Sequence, residues 1–197
     1  MSRSQRSPGW PTFRLRIGGR LLLAAFLLIG LTSASAYWDF AQILESVGQR
    51  YGPLGLEERR IVAWSQMLQG ERNAPEGEQL NAVNRFFNQQ LNFQDDSRVW
   101  HQADYWATPA ESLIKGAADC EDYALAKYFS LRQLGIPSEK LRITYVKALT
   151  RNQAHMVLTF YSSPAADPLV LDNLIGDIRP ASQRKDLLPV YAFNAEG

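Results

Sequence analysis

Cys120 is the one cysteine of the chain, and His101 and His155 are its two histidines. A thiol acts as a nucleophile only when a base takes its proton, and the base needs a partner that orients it. The segment Asp119-Cys120-Glu121-Asp122 precedes Ala124, Tyr128, Leu131 and Leu134, whose spacing predicts a helix from near Cys120 to Leu134. A thiol in the first turn of such a helix meets unpaired N–H groups and the positive end of the dipole, both of which favour thiolate. A lone cysteine is more often buried and inert, so its neighbours decide the matter. His155 begins a predicted strand and Asp172 lies near the end of the next. If Ser162 to Ala165 form a four-residue loop, Tyr161 faces Ala166 and His155 falls directly opposite Asp172 on one face. A slip of one residue would send them to opposite faces. His101, between Trp100 and Gln102, is the rival base, without an evident acid partner.

Asp119, Glu121 and Asp122 set three carboxylates within two positions of the thiol. Left unneutralised they oppose thiolate formation. Their plain role is to complement the helix dipole. Clustered hard oxygens also suit Ca²⁺, which would cancel the local charge. Three side chains do not fill a shell of roughly six to eight oxygens, so other ligands must help. The Cys120 N–H is a natural oxyanion donor at the helix start, and the indole N–H of Trp106 is a candidate second donor, against the alternative that Trp106 packs as core.

The elements that must position these groups divide into a helical half and a strand-rich half. Trp38, Ala41, Ile43, Leu44 and Val47 predict a first helix, stopped by Gly48 or by Gly52-Pro53. Ile61, Trp64, Met67 and Leu68 predict a second before Gly70, and Leu80, Val83, Asn84, Phe87 and Leu91 a third after Pro75 to Gly77. Thr108-Pro109-Ala110-Glu111 has the form of a capping box with proline at the first helical position, and Gly116 ends that short helix. After Gly135-Ile136-Pro137 the pattern changes. Residues 141–145, 155–161 and 169–174 read as strands, the last two separated by a turn-forming stretch from Ser162 to Pro168. Helices followed by consecutive antiparallel strands indicate an α+β fold.

Composition narrows the function classes. The 197 residues, 46% hydrophobic and 21% charged, can bury a real core. The formal charge of +1 is uneven. Arg3, Arg6, Arg14, Arg16 and Arg20 precede residue 37 without a single acid, and the remainder carries 16 basic against 20 acidic residues. A mildly acidic body argues against general nucleic-acid binding, and one cysteine excludes an intramolecular disulfide framework. The arginine-rich start, the uncharged apolar run Leu21 to Leu31 and the small residues Ala34-Ser35-Ala36 have the three regions of a secretory signal peptide. Cleavage after Ala36 is expected, with an uncleaved anchor as the alternative. The exported domain then spans residues 37–197.

The block Asp119-Cys120-Glu121-Asp122-Tyr123-Ala124, with Lys127-Tyr128-Phe129, resembles the bacterial transglutaminase-like cysteine proteinases, and more closely the LapG-type periplasmic proteases that release large biofilm adhesins. Asp104 to Pro109, His155-Met156-Val157-Leu158, Leu171-Asp172-Asn173-Leu174, Arg184, Asp186-Leu187 and Pro189-Val190-Tyr191 extend it over most of the exported chain. The resemblance implies a papain-like, transglutaminase-like fold in which a helix presents the nucleophile to an antiparallel sheet, with Cys120, His155 and Asp172 as the triad. It also implies a calcium site on Asp119 and Glu121, joined by Asp122. Its implied substrate is an Ala-Ala site near the amino terminus of a large adhesin. Its implied inhibitor is an inner-membrane cyclic-di-GMP receptor acting in the periplasm. Two other classes use the same residues: a transglutaminase passing the acyl group to an amine, and a non-catalytic periplasmic binding module.

Overall fold

The apolar spacing of residues 38–91 becomes three helices packed on one another. The structure, a computed structural model, describes residues 38–194. The leader expected over 1–36 lies outside the described residues. Helix α1 spans Phe40–Tyr51, capped by Asp39 and stopped at Gly52, whose φ of 89° suits glycine. Helices α2 (Leu56–Glu71) and α3 (Glu76–Gln90) follow, α2 running through Gly70. Trp64 is their common anchor: its indole N–H donates to Ser130 Oγ at 2.9 Å, and its ring meets Trp38, Phe40 and Phe87 edge-on. No helix among the described residues is long and apolar enough to cross a membrane.

A short strand, β1 (Asn92–Phe93), runs parallel to β2 (Ala117–Ala118), which directly precedes the nucleophile. Between them lie α4 (Asp96–Val99) and α5 (Pro109–Lys115). The expected capping box is complete in α5, with Thr108 Oγ1 accepting from the Glu111 N–H and Glu111 accepting from the Thr108 N–H. Gly116 ends it in the left-handed region, φ 63°, and its site is crowded by the Arg60 guanidinium 3.1 Å from where a Cβ would sit. Arg60 in turn donates to the Leu113 and Ile114 carbonyls, satisfying the end of α5.

Helix α6 (Cys120–Gln133) packs against a five-stranded antiparallel sheet, β3 (Leu141–Ala148), β4 (Gln153–Phe160), β5 (Leu169–Leu171), β6 (Arg179–Pro180) and β7 (Leu187–Phe193), in spatial order β6-β5-β4-β3-β7. Leu131, Ile143, Leu158 and Phe160 belong to one core with Trp64 and Phe87. The α+β expectation holds. The strands β1, β2, β6 and β7 and the short α4 lay outside the sequence reading. Two-residue strands carry no periodicity, and Pro189 marks β7 as an edge strand, which its place in the sheet confirms.

The capping box and the core make separable contributions. Thr108→Ala should cost about 1 kcal/mol and Thr108→Ser much less, whereas Phe87→Ala should cost about 3–5 kcal/mol, read from urea midpoints at constant slope.

Candidate active site

Cys120 is the first residue of α6, directly after β2, so its position is set by the strand before it and the helix after it. The backbone N–H of Met156 on β4, the residue after His155, lies against its sulfur. Burial and the Glu121 carboxylate push the thiol pKa up, and the Met156 N–H opposes this. The thiol's hydrogen bond goes to Glu121 Oε2 at 3.1 Å.

His155 and Asp172 meet as expected, but by a different register. Leu158 pairs with Leu171 and Phe160 with Leu169, so Val157 falls opposite Asp172 and His155 lies diagonal to it. The connection is two residues longer than the four-residue loop expected, because β5 begins only at Leu169, after Pro168. The shift is even, so both side chains keep to one face. His155 Nε2 lies 2.8 Å from Asp172 Oδ1, and both residues are buried.

Asp172 is held from four directions. Its Oδ1 also accepts from the Leu174 N–H at 3.0 Å, its Oδ2 accepts from Arg184 at 2.6 Å, and its carbonyl accepts from Asn88. Burial drives its pKa up, but His155, the Leu174 N–H and Arg184 outweigh it and bring the carboxyl down to about 2. An ionised carboxylate only accepts, so Nε2 carries the imidazole proton and Nδ1 is left as the lone-pair nitrogen. Arg184, buried and shared between Asp172 and Asp186, is a residue whose role the sequence reading missed. Lys127, also missed, is fully buried on α6, its ammonium 5.6 Å from the Tyr123 ring centroid. Burial lowers its pKa to about 7, while Asp172 pulls it back up.

The carboxylates beside the thiol are arranged otherwise. Carboxylate oxygens of Asp96, Asp119 and Asp122 lie within 4.8 Å of one another, and so do those of Asp96, Asp104 and Glu121. All three expected acids are therefore present, and Asp96 and Asp104 join them. No sequence spacing announces those two: the parallel β1–β2 pair brings the start of α4 beside Asp119. One oxygen each of Asp96, Asp119 and Asp122 is buried without a hydrogen-bond partner. Their other contacts are few: Asp96 accepts from the Tyr105 N–H at 2.5 Å and Asp122 from the Ala107 N–H at 2.7 Å. Burial and the neighbouring carboxylates raise the pKa of Asp119 to about 9, and burial most of all raises that of Asp122 to about 7. Orphaned carboxylate oxygens converging in a buried site fit a hard divalent cation.

Trp106 adjoins Ala107, and its ring, 43% exposed, packs 6.3 Å from Phe193. It is not core. His101, the rival base, stands on an exposed turn with φ 58°.

Asp172 gives the site a pH signature. Its folded pKa lies below the ordinary 3.8, so it contributes about 2 kcal/mol of stability above pH 4 that is lost as pH falls toward 2. Urea unfolding across that window should show the loss, and Asp172→Asn should flatten it.

The bacterial transglutaminase-like cysteine proteinase family matches residues 62–186. Among solved structures, Legionella pneumophila LapG is 45% identical, with 82% of this chain and 87% of that chain covered and a TM-score of 0.72. Its calcium-bound form is 46% identical over 80% of this chain and 85% of that one, TM-score 0.70. The EGTA-treated form gives 45% identity, 82% and 84% coverage, and 0.71. No curated protein matches the sequence. A family match running from α2 to the Arg184–Asp186 pair, over a chain that holds a buried His–Asp couple and a thiol at a helix start, makes this chain a cysteine protease and a member of the bacterial transglutaminase-like cysteine proteinases.

Proposed function

We propose that this chain is a calcium-dependent endopeptidase of the periplasm that cuts a large surface adhesin near its amino terminus, at a small-residue Ala-Ala site, and so releases it and promotes biofilm dispersal. The periplasmic domain of an inner-membrane cyclic-di-GMP receptor is the inhibitor that fits this reading. The observation that carries the reading is the adjacency of two unlike sites at one helix start: the thiol with its His155–Asp172 couple, and the orphaned carboxylates of Asp96, Asp119 and Asp122. The likeness to LapG supports the cysteine-protease chemistry, and the calcium-bound form of LapG supports the metal.

In this reading Nδ1 of His155 takes the Cys120 proton and Sγ attacks the scissile carbonyl carbon. The carbonyl oxygen becomes an oxyanion that accepts from the Cys120 N–H, with Trp106 as candidate second donor. The imidazolium then protonates the leaving amine as the C–N bond breaks. Water, deprotonated by the same nitrogen, hydrolyses the thioester and returns the thiol. Asp172 stays ionised throughout, its proton-free state fixed by Arg184 and the Leu174 N–H. Asp96, Asp104, Asp119, Glu121 and Asp122 are the residues that would hold Ca²⁺. What the ion supplies there is positive charge offsetting the carboxylates around the thiol.

Cys120→Ala, His155→Ala and Asp172→Ala should each abolish cleavage of an adhesin amino-terminal fragment, pairs should lose little more than singles, and His101→Ala should stay active. A folded, fully active Cys120→Ala protein would overturn the mechanism. Amino-terminal sequencing of periplasmic protein should read from Tyr37.

Chelation should abolish cleavage and excess Ca²⁺ restore it, with Mg²⁺ a poor substitute because it holds its waters in a tight octahedron. Ca²⁺ should also raise the melting temperature of the wild type, by a concentration-dependent amount. Asp96→Ala and Asp119→Ala should lose that rise, while the remote Glu76→Ala keeps it. An equal rise in all of them would remove the acids from the calcium site.

A further inference from the structure

A run of aromatic rings leads away from the thiol along the sheet. Met156, whose N–H touches the Cys120 sulfur, pairs with Tyr145 across β4 and β3. Tyr145 stacks on Tyr191 of β7, centroids 5.1 Å apart and planes 9° from parallel. Tyr191 stacks on Phe193 at 6.3 Å and 28°, and Phe193 meets Trp106 at 6.3 Å and 31°. Trp106 returns the run to the nucleophile helix, because its neighbour Ala107 donates to Asp122 in the first turn of α6. Both ends of the run therefore adjoin residues that contact Cys120 or its helix start.

These rings are not sealed into the core. Trp106 is 43% and Tyr191 54% exposed, and Leu188, further along the same edge strand, is 52% exposed. Stacked rings cover one another's faces and present a shallow row of ring edges rather than a socket, so the row suits an extended chain of small or apolar residues better than a single inserted side chain. Ring spacings of 5.1, 6.3 and 6.3 Å span at most roughly five residues of extended chain. The edge of β7 is a poor template for adding another strand, since Pro189 lacks an N–H and the β3–β7 register shifts between Tyr145 and Val146. An occupant therefore lies across the row of rings.

We propose that the row of rings of Tyr145, Tyr191, Phe193 and Trp106 forms a substrate subsite that holds an extended, uncharged segment flanking the scissile bond. Tyr191 and Tyr145 are then specificity-determining residues for the proteolysis described above, on which this inference rests. Continuity with the thiol selects this occupant: a polypeptide laid over Cys120 in the direction of β3 passes onto the rings. A second copy of the chain would have to cover the same rings and so close the approach to the thiol.

Two adhesin amino-terminal fragments test this, a long one with about eight residues on each side of the cut and a short one with about two, too short to reach across rings spaced as these are. Tyr191→Ala and Tyr145→Ala should lower kcat/KM on the long fragment about tenfold, mainly through KM, and leave the short fragment within about twofold. Tyr191→Phe, which keeps the ring, should behave as wild type on both. An undiminished kcat/KM on the long fragment overturns the subsite, and so does an equal fall on both fragments, the mark of a merely structural role. A wild-type dimer that Tyr191→Ala dissociates overturns it too, by giving the face to a second copy. Wild-type protein that cuts neither fragment overturns the endopeptidase reading itself, and is recognised without any variant.

Discussion

Negative charge packed around the start of the nucleophile helix is the constraint on which this structure turns. A helix N-terminus tolerates one or two carboxylates in its first turn because the dipole favours them. Here Asp119, Glu121 and Asp122 are joined by Asp96 from another element, and Asp96, Asp119 and Asp122 each keep one buried oxygen without a donor. Unpaired buried carboxylate oxygens are expensive, and the raised pKa values of Asp96, Asp119 and Asp122 express that cost. A thiol in the same place is pushed away from its reactive form. The chain thus sets its nucleophile where the helix favours thiolate and the acids oppose it, and the outcome depends on what neutralises the acids.

The triad acid shows the opposite solution to the same problem. Asp172 is as buried as Asp96 and Asp122, yet its carboxyl falls to about 2 because His155, a backbone N–H and Arg184 all donate to it. Arg184 spans Asp172 and Asp186, so the acid's countercharge is itself anchored, while Lys127 of α6 is buried with its pKa lowered to about 7. One aspartate is permanently ionised by fixed protein donors. The others await a partner that side chains do not provide. That difference separates a group that orients a base from groups that bind an ion.

The sequence made the local elements legible and left the long-range pairings unread. Thr108-Pro109-Ala110-Glu111 announced α5 because a capping box is chemistry within four residues. The start of α6 at Cys120, the strand carrying His155 and the strand that ends just before Asp172 followed from periodicity and turn residues. The hairpin register was off by two because Pro168 delays β5, but an even shift preserves the face, so the His–Asp couple survived the error. Asp96 and Asp104 were invisible for a different reason. Their place beside Asp119 depends on a parallel pair of two-residue strands, too short to leave a pattern. Arg184 was noticed as part of a motif, but nothing local says that its guanidinium reaches Asp172, twelve residues away.

The loop between α4 and α5 links these parts, and Glu111 is the reason it holds its shape. That buried carboxylate completes the cap of α5 and also accepts from Tyr51 at 2.7 Å and Tyr105 at 3.0 Å, with Arg50 at 2.8 Å. Burial would raise its pKa, but these donors, beginning with the Thr108 N–H, bring it below the usual carboxylate range. Tyr105, so fixed through its hydroxyl, gives its N–H to Asp96, and two residues on Ala107 gives its own to Asp122. The same short segment therefore sets the spacing of two acids and carries Trp106 between them, out to the row of rings. A displacement of α1 or of the α5 cap would reach the acidic cluster and the aromatic run through one residue, Tyr105. Ion site, nucleophile helix and row of rings are coupled because one satisfied carboxylate holds the backbone on which the unsatisfied ones depend.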